Sequence, residues 1–337
     1  MTVVAVEEHF ATPALLDAWD ALPPERRDPT TALYRGGPAA APLLDLGEAR
    51  LRWMDEMGVD VQVLSLTAPG VHGLDAPAAV ELAADANDVL AAAVRAHPDR
   101  FQGLAALPAA DPAAAAAELR RAVGELGLQG AIVFGRTGER HLDHPDNEPI
   151  LAAACELGAP LFLHPQIPRP QVREALYAGL PTPGLDFALA GPGIGWHYEA
   201  GLQFVRLALS GVLDRHPDLR IVLGHWGDVV VFYLDELDVI PRVSRADVRP
   251  LSEYARRHLY VACSGTLSHR YTRWAAEVLG ADRLLFALDH PFVPRAPGEV
   301  AAFLEAAPLS AAEREGFASG NWQKIQSGAL DILRTDA

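Results

Sequence analysis

The chain is short of cysteine, of long apolar runs and of basic charge, and each shortage narrows what it can be. Only two of its 337 residues are cysteine, Cys155 and Cys263. Two thiols cannot build a disulfide scaffold, and they fit a reducing cytosol. No uninterrupted apolar stretch reaches the length of about 18 residues that a spanning helix needs. The first residues hold no basic region followed by an apolar core, so no secretory leader is read there. Lysine and arginine total 28 against 44 aspartate and glutamate, a net charge of −16. That balance leaves no basic face for nucleic acid and disfavours an acidic membrane surface. A cytoplasmic address is expected. What the chain does have is 50% hydrophobic and 21% charged residues, a globular composition able to bury a large core.

Short β-rich apolar runs alternate with longer amphipathic ones along most of the chain. The predicted strands are residues 3–9, 61–66, 101–107, 130–134, 160–164, 220–225, 259–264 and 283–289. Helical stretches lie between them at 45–58, 76–98, 111–126, 147–157, 199–214, 227–238, 268–279 and 297–306. In the first, Asp45 reads as the N-cap, Leu51 and Met54 share a face, and Gly58 ends the helix. Eight strands apolar on both faces, each followed by a helix, predict an α/β fold with an all-parallel sheet. Closed on itself this is a (β/α)8 TIM barrel, one domain over residues 1–337. The excess length falls in two Pro- and Gly-rich βα loop insertions, about 22–44 and 165–198, expected to act as lids or subunit contacts. A doubly wound sheet competes, but no glycine fingerprint follows the first strand.

Barrel enzymes build their sites where the strands end, and four strand ends here carry groups able to ligate a metal. The first, "VAVEEHF", ends in Glu7, Glu8 and His9. Strand alternation puts Glu7 and His9 on one face with Val3 and Ala5, and Glu8 on the other with Val4 and Val6. The fifth strand ends in His164, the sixth in His225 and the eighth in Asp289. Each alone reads as a satisfied polar group, but four strands delivering such residues to one rim point to a metal site. Two imidazoles and two carboxylates suit one divalent ion with open positions. The fourth strand ends in "IVFGR", without the lysine that a bridged two-metal barrel commonly modifies. Nitrogen and oxygen donors do not separate Zn²⁺, the first expectation, from Mn²⁺. Trp226 and Phe292 are placed to wall a pocket for a flat ligand, and His197 and His290 lie on the correct rim for substrate contact.

The stretches "EEHF", "RLRWMDEMGVDVQVLSL", "ANDVLA", "PDRFQGLAALP", "FLHP", "SGVLDRHPDLRIVLGHWG" and "ADRLLFALDHPF" run through almost the whole chain. In this order they resemble the amidohydrolase superfamily, in its branch of metal-dependent decarboxylases. γ-Resorcylate and 2,3-dihydroxybenzoate decarboxylases are the nearer likenesses, and aminocarboxymuconate semialdehyde decarboxylase a more distant one. The resemblance implies metal ligands at Glu7, His9, His164 and Asp289, with His225 beside the metal acting with Asp228. It implies nonoxidative decarboxylation of an ortho-hydroxy aromatic or related unsaturated acid, with Asp289 as the proton donor. It also implies a small aromatic substrate, and the long loops lead to the expectation of a homodimer or homotetramer.

The substrate shell departs from the family pattern. Glu236 in "YLDELD" stands where an arginine is expected, Thr67 where an asparagine is, and "DHPF" replaces an aromatic residue with His290. A glutamate in the site would repel an anionic group. Glu236 is therefore expected to pair with a relocated Arg136 or Arg295, or to meet a neutral or cationic substituent of a substrate larger than γ-resorcylate. The alternative reading is a metal-dependent hydrolase or hydratase on the same scaffold, acting on a lactone, amide or alkene.

Overall fold

The computed structural model describes residues 1–245 and 247–326. All eight expected strands form, in the expected order. They are β1 (Val4–Phe10), β2 (Val61–Leu66), β3 (Phe101–Gly103 and Ala105–Ala106, interrupted at Leu104), β4 (Ala131–Phe134), β5 (Leu161–His164), β6 (Ile221–Leu223), β7 (Leu259–Ala262) and β8 (Leu284–Leu285). Each pairs in parallel with the next. At the break in β3, Leu104 N donates to Leu64 O at 2.8 Å. Beyond β8 the chain runs beside β1, where Val6 N donates to Phe286 O at 2.9 Å and Asp289 N to Glu7 O at 3.0 Å. The architecture is the (β/α)8 arrangement, with the carboxyl ends of the strands gathered at one rim.

Two apolar clusters follow from strands with two buried faces. Val4, Val6, Val63, Ile132, Phe162 and Val222 fill the interior of the strand ring. Val3, Ala5, Leu64, Leu161 and Leu223 belong to the larger outer cluster, against the helices. The first long helix runs Glu48–Met57 and ends on Gly58 at φ +73°, with Met54 buried. Its N-cap is Gly47 and not Asp45. The Asp45 carboxylate still serves the helix start, accepting from Gly47 N at 2.7 Å and Arg50 N at 3.0 Å. No helix among the described residues is long and apolar enough to cross a membrane.

β1 carries a register shift that simple alternation misses. Ala5 pairs with Gln62 but Glu8 with Leu64, so three residues advance against two. A bulge of one residue exchanges the faces beyond it. Val4 and Val6 point inward before it; Glu7 and His9 meet the other site residues after it. Glu7 and His9 do share a face, but with Val4 and Val6 as their inner companions and not Val3 and Ala5.

Candidate active site

Glu7 is the centre of the rim. Its Oε1 lies 3.4 Å from His164 Nε2, 3.5 Å from His225 Nε2 and 3.9 Å from His9 Nε2. Asp289 Oδ1 stands 3.3 Å from His9 Nε2. The ligand atoms of Glu7, His9 and His164 all lie within 4.8 Å of one another, and all three residues are buried. Ser264, at the end of the seventh strand run, donates its hydroxyl to Glu7 Oε2. Behind that carboxylate sits Gly224, where a Cβ would come within 2.6 Å of Glu7 Oε2 and displace it. His164 Nδ1 faces Pro165 O at 2.8 Å, which leaves Nε2 bare toward the centre.

Glu7 Oε1 and His9 Nε2 are buried and without a hydrogen-bond partner. Orphaned buried polar atoms are costly and uncommon. Two of them facing one point, with a second imidazole and a second carboxylate alongside, match the donor set of a divalent cation.

The backbone around these residues is strained. His225, Trp226, Gly227, Asp228 and Val229 all have positive φ, from 44° to 90°, and Asp289 has φ 60°. Five successive left-handed residues form a tight turn after β6 that L side chains rarely adopt, and strain of this kind gathers at functional sites. Against this turn packs Gly265, at φ +72°, where an added Cβ would lie 3.2 Å from His225 Nδ1.

Burial pushes the Glu7 carboxyl up, against the pull of His225. Burial also drives His164 well below the usual imidazole range. At His225 burial acts downward, but the nearby Glu7 carboxylate outweighs it and holds the imidazole up at about 10. Asp289 would likewise rise on burial. The close approach of His9 and the charges of His225, His9 and His164 hold it below its ordinary value instead.

Glu8 belongs to a separate network on the outer side of β1. It accepts from Leu288 N at 2.8 Å and from Gln62 Nε2 at 2.9 Å, and Gln62 Oε1 accepts from Arg50 at 3.2 Å. Burial raises Glu8 to about 8.

Over the cluster opens a cavity of about 650 Å³, bordered by His164, His225 and Asp289 and walled by Tyr34, Trp226 and Phe292. Both insertions contribute: Thr30, Leu33 and Tyr34 from the first, Pro192, Trp196 and His197 from the second. Phe292 packs on His9 with ring centroids 5.5 Å apart and on Tyr34 at 5.7 Å. Thr67 also lines the cavity, its hydroxyl buried.

Four of the expected site residues do not line the cavity. Glu236, on the helix Val230–Leu237, is exposed and does not line the cavity. Its expected partners are engaged elsewhere: Arg136 lies 3.2 Å from Glu199, and Arg295 lies 3.0 Å from Glu299. Arg295 is therefore not a wall of the cavity either; it donates to Gly265 O at 3.3 Å from behind. His290 packs instead on Trp53, with ring centroids 3.8 Å apart and the planes tilted by 38°. Asp228 pairs with His197 Nδ1 at 2.8 Å, and no hydrogen bond joins it to His225 among the described residues. His197 in turn packs edge-on against His225 at 4.7 Å. The left-handed turn sets the direction of Asp228 and the outward helix face that of Glu236, neither of which chain order reveals. Ser264 and Tyr34 went unread because a hydroxyl at a strand end or in a loop carries little chemical signature.

Imidazoles and carboxylates gathered at the carboxyl ends of parallel strands define a barrel enzyme with a metal-binding rim. The chain belongs to the amidohydrolase family, whose model matches residues 17–324. γ-Resorcylate decarboxylase of Rhodococcus jostii (strain RHA1) is 35% identical over 329 residues, covering 92% of this chain and 94% of that one. Among solved structures, 5-carboxyvanillate decarboxylase LigW from Sphingomonas paucimobilis matches with a TM-score of 0.86 at 34% identity, covering 97% of this chain and 99% of that one. Dihydroxybenzoic acid decarboxylase from Polaromonas sp. JS666, with bound manganese and the inhibitor 2-nitroresorcinol, matches with a TM-score of 0.82 at 32% identity, covering 97% of both. The resemblance to the decarboxylase branch is borne out.

Proposed function

We propose that the protein is a metal-dependent nonoxidative decarboxylase of an ortho-hydroxy aromatic acid. The supporting observation is the meeting of Glu7, His9, His164 and Asp289 beneath an aromatic-walled cavity, in a chain similar to named decarboxylases of such acids. Glu7, His9, His164 and Asp289 are assigned as the residues that would hold one divalent ion. Manganese, the ion in the Polaromonas relative, and zinc both suit their nitrogen and oxygen donors. Such an ion supplies Lewis acidity at the oxygens of the substrate.

The chain's own residues do the rest. Trp226 and Phe292 confine a flat ring over the cluster. Asp289 delivers a proton to the ring carbon that bears the carboxylate, interrupting aromaticity. The bond from that carbon to the carboxylate then breaks, its electron pair restores the ring, and CO₂ leaves. Asp289 regains its proton from water between turnovers, while His225 lies beside Glu7 and is buttressed by His197, itself paired with Asp228. A homodimeric or homotetrameric assembly, a cytoplasmic address and a single domain over residues 1–337 complete this reading.

The test is CO₂ release from a panel of hydroxybenzoates by the metal-loaded protein. Release that depends on the metal supports the assignment. Hydrolysis of lactones or amides, or hydration of alkenes, with no CO₂ from any aromatic acid, overturns it in favour of the hydrolase or hydratase alternative.

A further inference from the structure

A cavity of about 150 Å³ already accommodates benzene. The cavity over Glu7 and Asp289 measures about 650 Å³, so a single-ring acid seated on the cluster leaves most of it unfilled. Its outer part is apolar and comes from three separate elements. Leu33 comes from the segment Pro29–Tyr34, Phe232 from the helix Val230–Leu237, and Tyr271 and Trp274 from the helix His269–Leu279. Phe232 and Trp274 meet edge to face at 5.1 Å. Leu33, Phe232 and Tyr271 are 47%, 66% and 42% exposed. Large apolar side chains left open around a cavity mouth mark a place where apolar surface is to be covered.

The charge of the wall narrows the occupant. Among the described residues no lysine or arginine lines the cavity. A second carboxylate in the outer part would lose its water without gaining a cationic partner, which is unfavourable. An uncharged substituent meets no such cost.

We propose that the outer cavity is a subsite for an apolar, uncharged substituent, so that the substrate is a monocarboxylic hydroxyarene carrying an alkyl or aryl group remote from its carboxylate. This deepens the decarboxylase reading and rests on it.

The probe is a series of resorcinols with n-alkyl chains at carbon 5, opposite the carbon that would bear the carboxylate. Binding to the metal-loaded protein is followed by calorimetry, which needs no turnover. Each methylene that enters the subsite tightens Kd by about fourfold, the factor expected for burying one CH₂. Phe232→Ser and Leu33→Ser, both at exposed positions, flatten that dependence, and circular dichroism confirms that they fold. A Kd independent of chain length overturns the proposal, as does a chain-length dependence that both variants leave intact. A change of oligomeric mass in Phe232→Ser with the chain-length dependence unaltered also overturns it, assigning the rim to contact between copies. The carboxylated forms of the same resorcinols separate the two readings. Chain-length-dependent binding without CO₂ release keeps the subsite and removes the decarboxylase. CO₂ release with no chain-length dependence keeps the decarboxylase and removes the subsite.

Discussion

The Asp289 carboxylate stands 3.3 Å from His9 Nε2, across the seam where the chain beyond β8 runs beside β1. This contact joins the two ends of the barrel chemically as well as structurally, since Asp289 N also donates to Glu7 O in the same seam. Asp289→Asn keeps the shape and the backbone bond but removes the transferable proton. Turnover is expected to fall by about 10²–10⁴-fold, with a further loss if the metal is disturbed. Near-ultraviolet circular dichroism should match wild type. An Asp289→Asn protein with turnover within a few-fold of wild type would remove Asp289 from the proton transfer.

Elemental analysis of the purified protein should find about one divalent ion per chain. His9→Ala and His164→Ala should each deplete it, because either truncation takes a donor from a small buried set. Chelator-treated protein should be inactive and recover on addition of Mn²⁺ or Zn²⁺. Full activity after metal removal would end the metal assignment.

Glu7 and Glu8 are neighbours in sequence with opposite assignments: strand alternation separates them, and the bulge in β1 makes Glu7 the one that faces the site. Glu7→Gln should lose metal and activity while the fold persists. Glu8→Ala should retain metal but lose stability, since it strands Leu288 N and the Gln62 amide in a buried layer. The cost of such an unsatisfied group is about 1–3 kcal/mol. Urea titrations and metal content of the two variants distinguish the roles. The reverse pattern, with Glu8→Gln dead and Glu7→Gln active, would invert the face assignment.

His72, in the loop after β2, is buried against Phe134 with ring centroids 5.1 Å apart, and neither ring nitrogen has a partner. Burial lowers its pKa from 6.5 to about 4. The unfolded chain takes up a proton near pH 6.5 and the folded one does not, so folding is penalised progressively as pH falls from 6.5 to about 4. The full penalty is about 3 kcal/mol, reached below the folded value. His72→Phe should remove it, so the stability difference between variant and wild type should grow on acidification across that window. Parallel stability curves from pH 4.5 to 7.5 would show that His72 titrates normally, a window taken from the shift just given.

Much of the site was legible because a barrel converts sequence position into spatial position. A residue at the end of a parallel strand lies on the catalytic rim wherever it stands in the chain. Glu7, His9, His164, His225 and Asp289 were therefore readable from "VAVEEHF", "PLFLH", "IVLGH" and "LLFALD" alone. Residues in the turns beyond the strands were not. Asp228, His290 and Arg295 lie within three residues of Trp226, Asp289 and Phe292, and Glu236 one helix beyond His225, yet none of the four lines the cavity.

By itself the sequence determined the eight parallel strands, their order and the identity of the polar groups at their ends, because periodicity and residue chemistry are local properties. Only the tertiary structure decided the bulge that turns Glu7 and His9 inward, the pairing of Asp228 with His197, the exposure of Glu236 and the size of the cavity. Those depend on strand register, on a left-handed run of backbone from His225 to Val229, and on side chains from distant elements competing for one space.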